Sequence, residues 1–205
     1  MTNVTERAVA YLGDSGDSEP RIEWPWFALR IRSNFEKTTS EILRQKGFEE
    51  FLPLYQTRTR WSDRVKTIER PLFPGYLFCR FDQYARLPIL TTPGVVSVLG
   101  VGKLPMPIAE DEVARVQAIV RSGLPATPWP FVKVGQRVVI ERGPLSGIEG
   151  ILETVRNSYR FVVSVSLLQR SVAAEVDADW VRPVGGVPIT RLEPLSAAHR
   201  QREIA

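Results

Sequence analysis

From Trp26 to Arg32 the chain alternates strictly, with Phe27, Leu29 and Ile31 on one side and Trp26, Ala28, Arg30 and Arg32 on the other. A period of two is that of an extended strand, whose successive side chains point to opposite faces of a sheet. The stretch "GYLFCRF" repeats the pattern: Leu77, Cys79 and Phe81 share one face, and Tyr76, Phe78 and Arg80 share the other. Two strands with one aliphatic and one mixed side belong to a sheet that helices cover on the aliphatic face. Because a charge is rarely buried without a partner, the side carrying Arg30, Arg32 and Arg80 is expected to be open. Tyr76 and Phe78, with Phe73 beside them at the Pro74-Gly75 turn, then form an exposed aromatic patch.

The rest of the N-terminal half fits such a sheet. "SNFE" offers Ser33 as an N-cap with Glu36 three residues on, a capping box, and helical spacing continues to Lys46 before Gly47. "FEEFLPLYQ", "KTIERP", "GYLFCRF" and "GVVSVLG" read as further strands. "PIAEDEVARVQAIVRSG" begins with three acids, ends with Arg121 and Gly123, and carries Val113, Val116, Ile119 and Val120 as an apolar stripe, which predicts a helix aligned with its own dipole. The fold class is α+β, an antiparallel sheet with helices in a ferredoxin-like sandwich. "LPATPWPF" places three prolines in eight residues and is expected to be an extended linker. Short β-rich runs divided by Gly, Pro and Asn-Ser turns follow, which predicts a small barrel. The expected divisions are a leader at 1–23, an N-terminal domain at 24–123, a linker at 124–133, the barrel domain at 134–184 and a tail at 185–205.

Composition narrows the chemistry. One cysteine and one histidine leave no thiolate and imidazole set for a zinc site, and no P-loop, nucleophile elbow, HExxH or CxxC motif occurs. No enzyme, metal or cofactor is expected, and no apolar run is long enough for a membrane helix. The start lacks a signal-peptide pattern, so a cytoplasmic location and no membrane partner are expected. The formal charge is +4, yet residues 1–23 hold five acids and two bases, so the remainder is more basic than the total suggests. Gln56 to Arg70 alone holds five basic and two acidic residues. A polyanion is the implied partner, and Arg32, Lys37, Arg44, Arg58, Arg60, Arg64 and Lys66, with Trp61 as a base-stacking ring, are the candidate nucleic-acid contacts.

"WFALRIRSNFEKTTSEILRQKGFEEFLP", "ERPLFPGYLFCRF", "TTPGVVSVLG" and "GQRVVIERGPLSGIEGILETV" occur in this order and together resemble the NusG family of transcription elongation and antitermination factors. The resemblance spans about Trp24 to Val184 and implies an N-terminal NGN domain followed by a KOW domain of the SH3-like barrel type. It implies docking on the clamp helices of the largest RNA polymerase subunit through Phe73, Pro74, Tyr76 and Phe78, with Trp26 and Arg30 adjoining. It also implies contact with non-template or upstream DNA. A small-subunit ribosomal protein or Rho would meet Leu145, Ile148, Leu167, Leu168 and Arg170 of the KOW domain. "RPLFPGYLF" is closer to specialised paralogs of the RfaH type, in which an acid used between domains precedes the proline. Arg70 stands there instead, which argues against a closed, autoinhibited arrangement. The protein is expected to act as a monomer. The alternative is a KOW-type RNA-binding or ribosome-associated protein in which Arg137, Arg142, Arg156 and Arg160 hold RNA.

Overall fold

The computed structural model describes residues 24–60, 65–102, 104–131, 135–155 and 158–184. In chain order the N-terminal half runs β1 (Trp26–Ile31), α1 (Glu36–Gln45), β2 (Glu50–Phe51), β3 (Leu54–Arg60), β4 (Val65–Pro71), β5 (Tyr76–Arg80), α2 (Leu87–Leu90), β6 (Val95–Val98), β7 (Gly100–Val101), β8 (Leu104–Pro105), β9 (Pro107–Ile108) and α3 (Glu110–Ser122). Its main sheet is antiparallel in the order β2-β5-β1-β6, with β9 also pairing with β1. The alternation read from the sequence is realised in the register, where Trp26, Ala28 and Arg30 lie opposite Arg80, Phe78 and Tyr76. Phe27, Leu29, Ile31, Leu77, Cys79 and Phe81 form the other face, and Leu43 of α1 and Ile89 of α2 close over it. Phe27 and Phe81 meet at 4.7 Å between ring centroids. Burial holds the Cys79 thiol up at about 12, with Glu50 and Glu49 adding to the effect, so it packs as a small hydrophobe.

The start of α1 departs from the expected capping box. Asn34 takes a left-handed φ of 66°, and the cap position falls to Phe35, whose side chain makes no capping bond. Glu36 is thereby the first helical residue rather than the third. Its carboxylate turns inward, is buried, and accepts the Gly75 N–H at 3.0 Å. Thr39 and Ser40 continue this polar seam, donating to the Pro93 carbonyl at 2.9 Å and to Glu50 at 2.6 Å. Buried polar groups require such partners.

"FEEFLPLYQ" breaks at Pro53 into β2 and β3, because a proline cannot donate to the ladder. β3 and β4 pair over their whole length, from Leu54 opposite Pro71 to Arg60 opposite Val65, as a two-stranded ribbon outside the main sheet.

The C-terminal half comprises β10 (Ala126–Trp129), β11 (Gln136–Ile140), β12 (Glu149–Val155), β13 (Ser158–Val165), β14 (Arg170–Val176) and β15 (Val181–Pro183), antiparallel in the order β10-β14-β13-β12-β11-β15. The expected linker is corrected here: Ala126 to Trp129 pair with Ala174 to Ser171. An edge strand tolerates Pro128, since its missing N–H costs nothing on the outer side. The glycines of "GPLSGIEG" act through the backbone. Gly143 and Gly147 have φ of 79° and 85°, and a Cβ on Gly150 would lie 2.5 Å from Phe161. The expected leader at 1–23 and tail at 185–205 lie outside the described residues.

Glu36 fixes α1 to the turn at Gly75, so its removal is expected to be felt globally. Glu36→Ala should lower the unfolding free energy by about 2 kcal/mol and Glu36→Gln, which keeps an acceptor, by less. Urea titration of the two variants measures this, and equal losses would contradict the hydrogen-bond account.

Candidate functional site

The turn Phe73-Pro74-Gly75-Tyr76 is held at three points. Tyr76 N–H donates to the Phe73 carbonyl at 3.0 Å, Ile31 N–H donates to the Gly75 carbonyl at 2.8 Å, and Glu36 accepts from Gly75. A φ of 81° at Gly75 is the left-handed geometry that glycine adopts without strain. The turn delivers Phe73 edge-on to Phe78, 5.6 Å between centroids at 87°, while Phe51 of β2 stacks on the other side of Phe78 at 6.0 Å and 23°. Ala28, opposite Phe78 in the register, leaves room for the ring.

The candidate docking residues therefore gather on one face, as expected, but that face is not bare. Phe73 and Phe78 are 0% exposed and Trp26 is 1% exposed. One buried cluster runs from Trp26, Ala28, Phe73 and Phe78 through Val113, Val116 and Ile119 of α3 into the apolar residues of the C-terminal sheet. Two polar contacts stitch the halves together. Ser166 N–H faces both oxygens of the Glu112 carboxylate at 3.3 Å, and the Arg170 guanidinium lies 5.7 Å from the centre of the Tyr76 ring. The expectation of an open patch, and of no closed arrangement, is thus corrected. Closure uses Glu112, Ser166 and Arg170 and does not involve position 70, where Arg70 is exposed. Tyr76 is half-buried, while Pro74 and Arg30 are exposed at the rim.

The charge argument for an open face fails at Arg80. Its guanidinium stacks on the Trp26 ring at 4.8 Å, pairs with Glu49 at 3.4 Å and with Glu110, and donates to the Trp24 carbonyl at 3.3 Å. Trp26 Nε1 also donates to Glu110 at 3.3 Å. An arginine so partnered can be covered, and the cluster pins the start of α3 onto the sheet. Trp26 is a clamp for α3, which corrects its expected place among the docking side chains. Phe51 and Glu36 were missed in the sequence because both act through pairing with distant segments; the short apolar run "FLPL" was the one signal for Phe51.

Of the candidate nucleic-acid residues, Arg32, Lys37, Arg44, Arg58 and Lys66 are exposed. Lys37 pairs with Glu69 of the ribbon at 2.9 Å, and Arg44 is held by Glu41 and Glu50, which raises its pKa through Glu50 first. Arg60 ends β3, and Trp61 and Arg64 lie outside the described residues. In the C-terminal half, Leu145 and Leu168 are buried, Ile148 and Leu167 half-buried and Arg170 exposed. The two buried leucines serve packing, a correction to their expected surface role. Between α3 and the C-terminal sheet lies a cleft of about 690 Å³ lined by Glu112, Arg115, Arg137, Glu149, Ser166 and Gln169. Among the described residues no three His, Cys, Asp or Glu side chains approach as metal ligands, and no helix is long and apolar enough to cross a membrane.

Residues 25–117 match a family model described as transcription termination factor nusG. The transcription termination/antitermination protein NusG of Deinococcus radiodurans is 30% identical over 133 residues, 56% of this chain and 69% of that one. The protein of the same name from Thermus thermophilus is 26% identical over 180 residues, 76% of this chain and 96% of that one. A solved structure described as a domain interaction in Thermotoga maritima NusG aligns over 78% of this chain and 97% of its own, at 18% identity and a TM-score of 0.49.

The burial of Phe78 has a measurable consequence. Phe78→Ala should cost about 3–5 kcal/mol of stability, as for a ring removed from a close-packed core, and Tyr76→Ala less than about 1.5 kcal/mol. Denaturant unfolding distinguishes the two, and a Phe78 variant as stable as the parent would show the ring to be exposed in solution.

Proposed function

Because this chain belongs to the NusG family of transcription factors, we propose that it is a non-enzymatic elongation and antitermination factor whose N-terminal sheet docks on the clamp helices of RNA polymerase through the turn at Phe73 to Phe78. The observation that carries this reading is the aromatic face itself. Phe51, Phe73, Tyr76 and Phe78 are assembled on the side of the sheet away from α1 and α2, and their cover is completed by a separate part of the chain. A helical hairpin of a larger assembly fits such a face by the same chemistry, apolar burial around aromatic anchors with exposed Pro74 and the charge of Arg30 at the rim.

Docking then exchanges one cover for another. Burying three aromatic side chains contributes roughly 5–9 kcal/mol gross, but in the closed arrangement this is already gained within the chain. Net affinity is the difference between two covers, and the C-terminal half must move aside for the polymerase to bind. The contacts to be given up include the Glu112 to Ser166 hydrogen bonds and the Arg170 to Tyr76 stack.

The C-terminal half is read as the KOW barrel that recruits a further partner, a small-subunit ribosomal protein or Rho, through Leu167 and Arg170 once they are released. Of the arginines of the RNA-binding alternative, Arg137 pairs with Glu149 at 3.0 Å, Arg160 pairs with Glu175 at 2.9 Å and lies over Trp129, Arg142 is exposed, and Arg156 lies outside the described residues. Non-template or upstream DNA is the proposed nucleic-acid partner, met by the basic N-terminal surface.

Retention of the intact protein on immobilised RNA polymerase tests this reading. Tyr76→Ala should weaken binding about tenfold, one aromatic anchor lost, whereas Glu112→Lys, which loosens the closed arrangement, should strengthen it. A Tyr76 variant retained as well as the parent would contradict docking through this face.

A further inference from the structure

The ribbon of β3 and β4 has two unlike faces, and the register assigns its charges to them. Residues directly opposite in an antiparallel pair share a face, and the face alternates along each strand. Tyr55 with Arg70 and Thr57 with Ile68 therefore form one face, which the register extends to Lys66; Gln56 with Glu69 and Arg58 with Thr67 form the other. The first face is rooted in the aromatic cluster, since Tyr55 packs against the buried residues that include Phe73 and Phe78, and Thr57 and Ile68 are half-buried along it. On the second face Gln56, Arg58, Thr67 and Glu69 are all exposed.

The second face turns towards α1. Glu69 is bound by Lys37, in the first turn of that helix, at 2.9 Å. Two residues before Lys37 stands Phe35, 38% exposed, with the Arg32 guanidinium 5.7 Å from its ring centre. Among the described residues of the ribbon Glu69 is the one acid, and it pairs with Lys37; neither Arg58 nor Arg32 makes an ion pair among the described residues. This side of the ribbon and the start of α1 thus expose Arg58, Lys37 and Arg32 with one aromatic ring, Phe35, the composition that suits a phosphate backbone and an unstacked base. The first face offers Lys66 and Arg70 too, but around half-covered apolar side chains.

We infer that nucleic acid lies along only the α1-side face of the ribbon, contacted by Arg58 with Lys37 and Arg32, and that Lys66 on the opposite face takes no part in it. This rests on the reading of nucleic acid as a partner and goes beyond it by dividing the basic residues, which sequence grouped together, into a contacting set and a non-contacting set.

Two charge reversals of equal size on the same ribbon separate the outcomes. Arg58→Glu and Lys66→Glu are prepared in the full chain, checked by circular dichroism for the parent spectrum, and titrated against a fluorescently labelled forked DNA with a duplex and a single-stranded arm, at several salt concentrations. Arg58→Glu should weaken binding at least about fivefold and reduce the salt slope by about one, as for a lost phosphate contact, while Lys66→Glu should stay within about twofold of the parent. Equal weakening by both variants would overturn the one-face assignment while leaving nucleic-acid binding in place. If neither variant changes binding, both the assignment and the nucleic-acid reading are wrong.

Discussion

The main N-terminal sheet is apolar on both faces but has helices of its own unit to close only one of them completely. α1 and α2 seal Phe27, Leu29, Leu77 and Cys79. The opposite face holds Phe73 and Phe78, and its cover comes from α3 together with the C-terminal sheet. Water cannot be left against such a surface without cost, at roughly 25 cal/mol per Å² of apolar area. Some protein must cover it at all times, either the chain's own C-terminal half or a partner. The closed arrangement, the placement of α3 and the proposed docking all follow from that requirement.

Polar groups decide how firmly each cover is held. Arg80, Trp26 and Glu110 lock the start of α3 to the sheet through stacking, hydrogen bonds and charge, and a half-buried arginine that lost these partners would be costly. The polar contacts to the C-terminal half lie nearer to solvent: the Ser166 N–H on Glu112 of α3 and the Arg170 guanidinium over Tyr76 of the sheet. α3 is in turn packed against the C-terminal sheet within the same buried cluster, so the helix and the C-terminal half form one continuous cover. On the far side of the sheet, Glu36 sets the geometry of the turn that carries the aromatics, so the helix face also shapes the aromatic face.

What was legible in the sequence was periodic. The two strands around Arg30 and Arg80, their division into faces, the α3 stripe and the turn-divided β runs of the C-terminal half all depend on spacing, and spacing is local. What was not legible depended on pairing between distant segments. Arg80 was expected to mark an open face because its partners, Glu49, Glu110 and the Trp26 ring, come from three other places in the chain. Glu36 fits a capping box in sequence, yet a left-handed Asn34 shifts the helix start and frees its carboxylate for Gly75. Pro125, Pro128 and Pro130 look like a linker because local rules cannot tell a solvated extended segment from an edge strand. Of the candidate site, the aromatic residues were identified correctly as one face, and the cover over them was not.

Hydrogen exchange of the intact protein, measured free and bound to RNA polymerase, addresses the central claim directly. The account predicts that residues 73–78 stay protected in both states, because one cover replaces another, while the Ser166 amide, held by Glu112 across the two halves, loses protection on binding as the C-terminal half leaves. Unchanged protection at Ser166 in the polymerase complex would mean that the aromatic face stays closed and that the polymerase binds elsewhere.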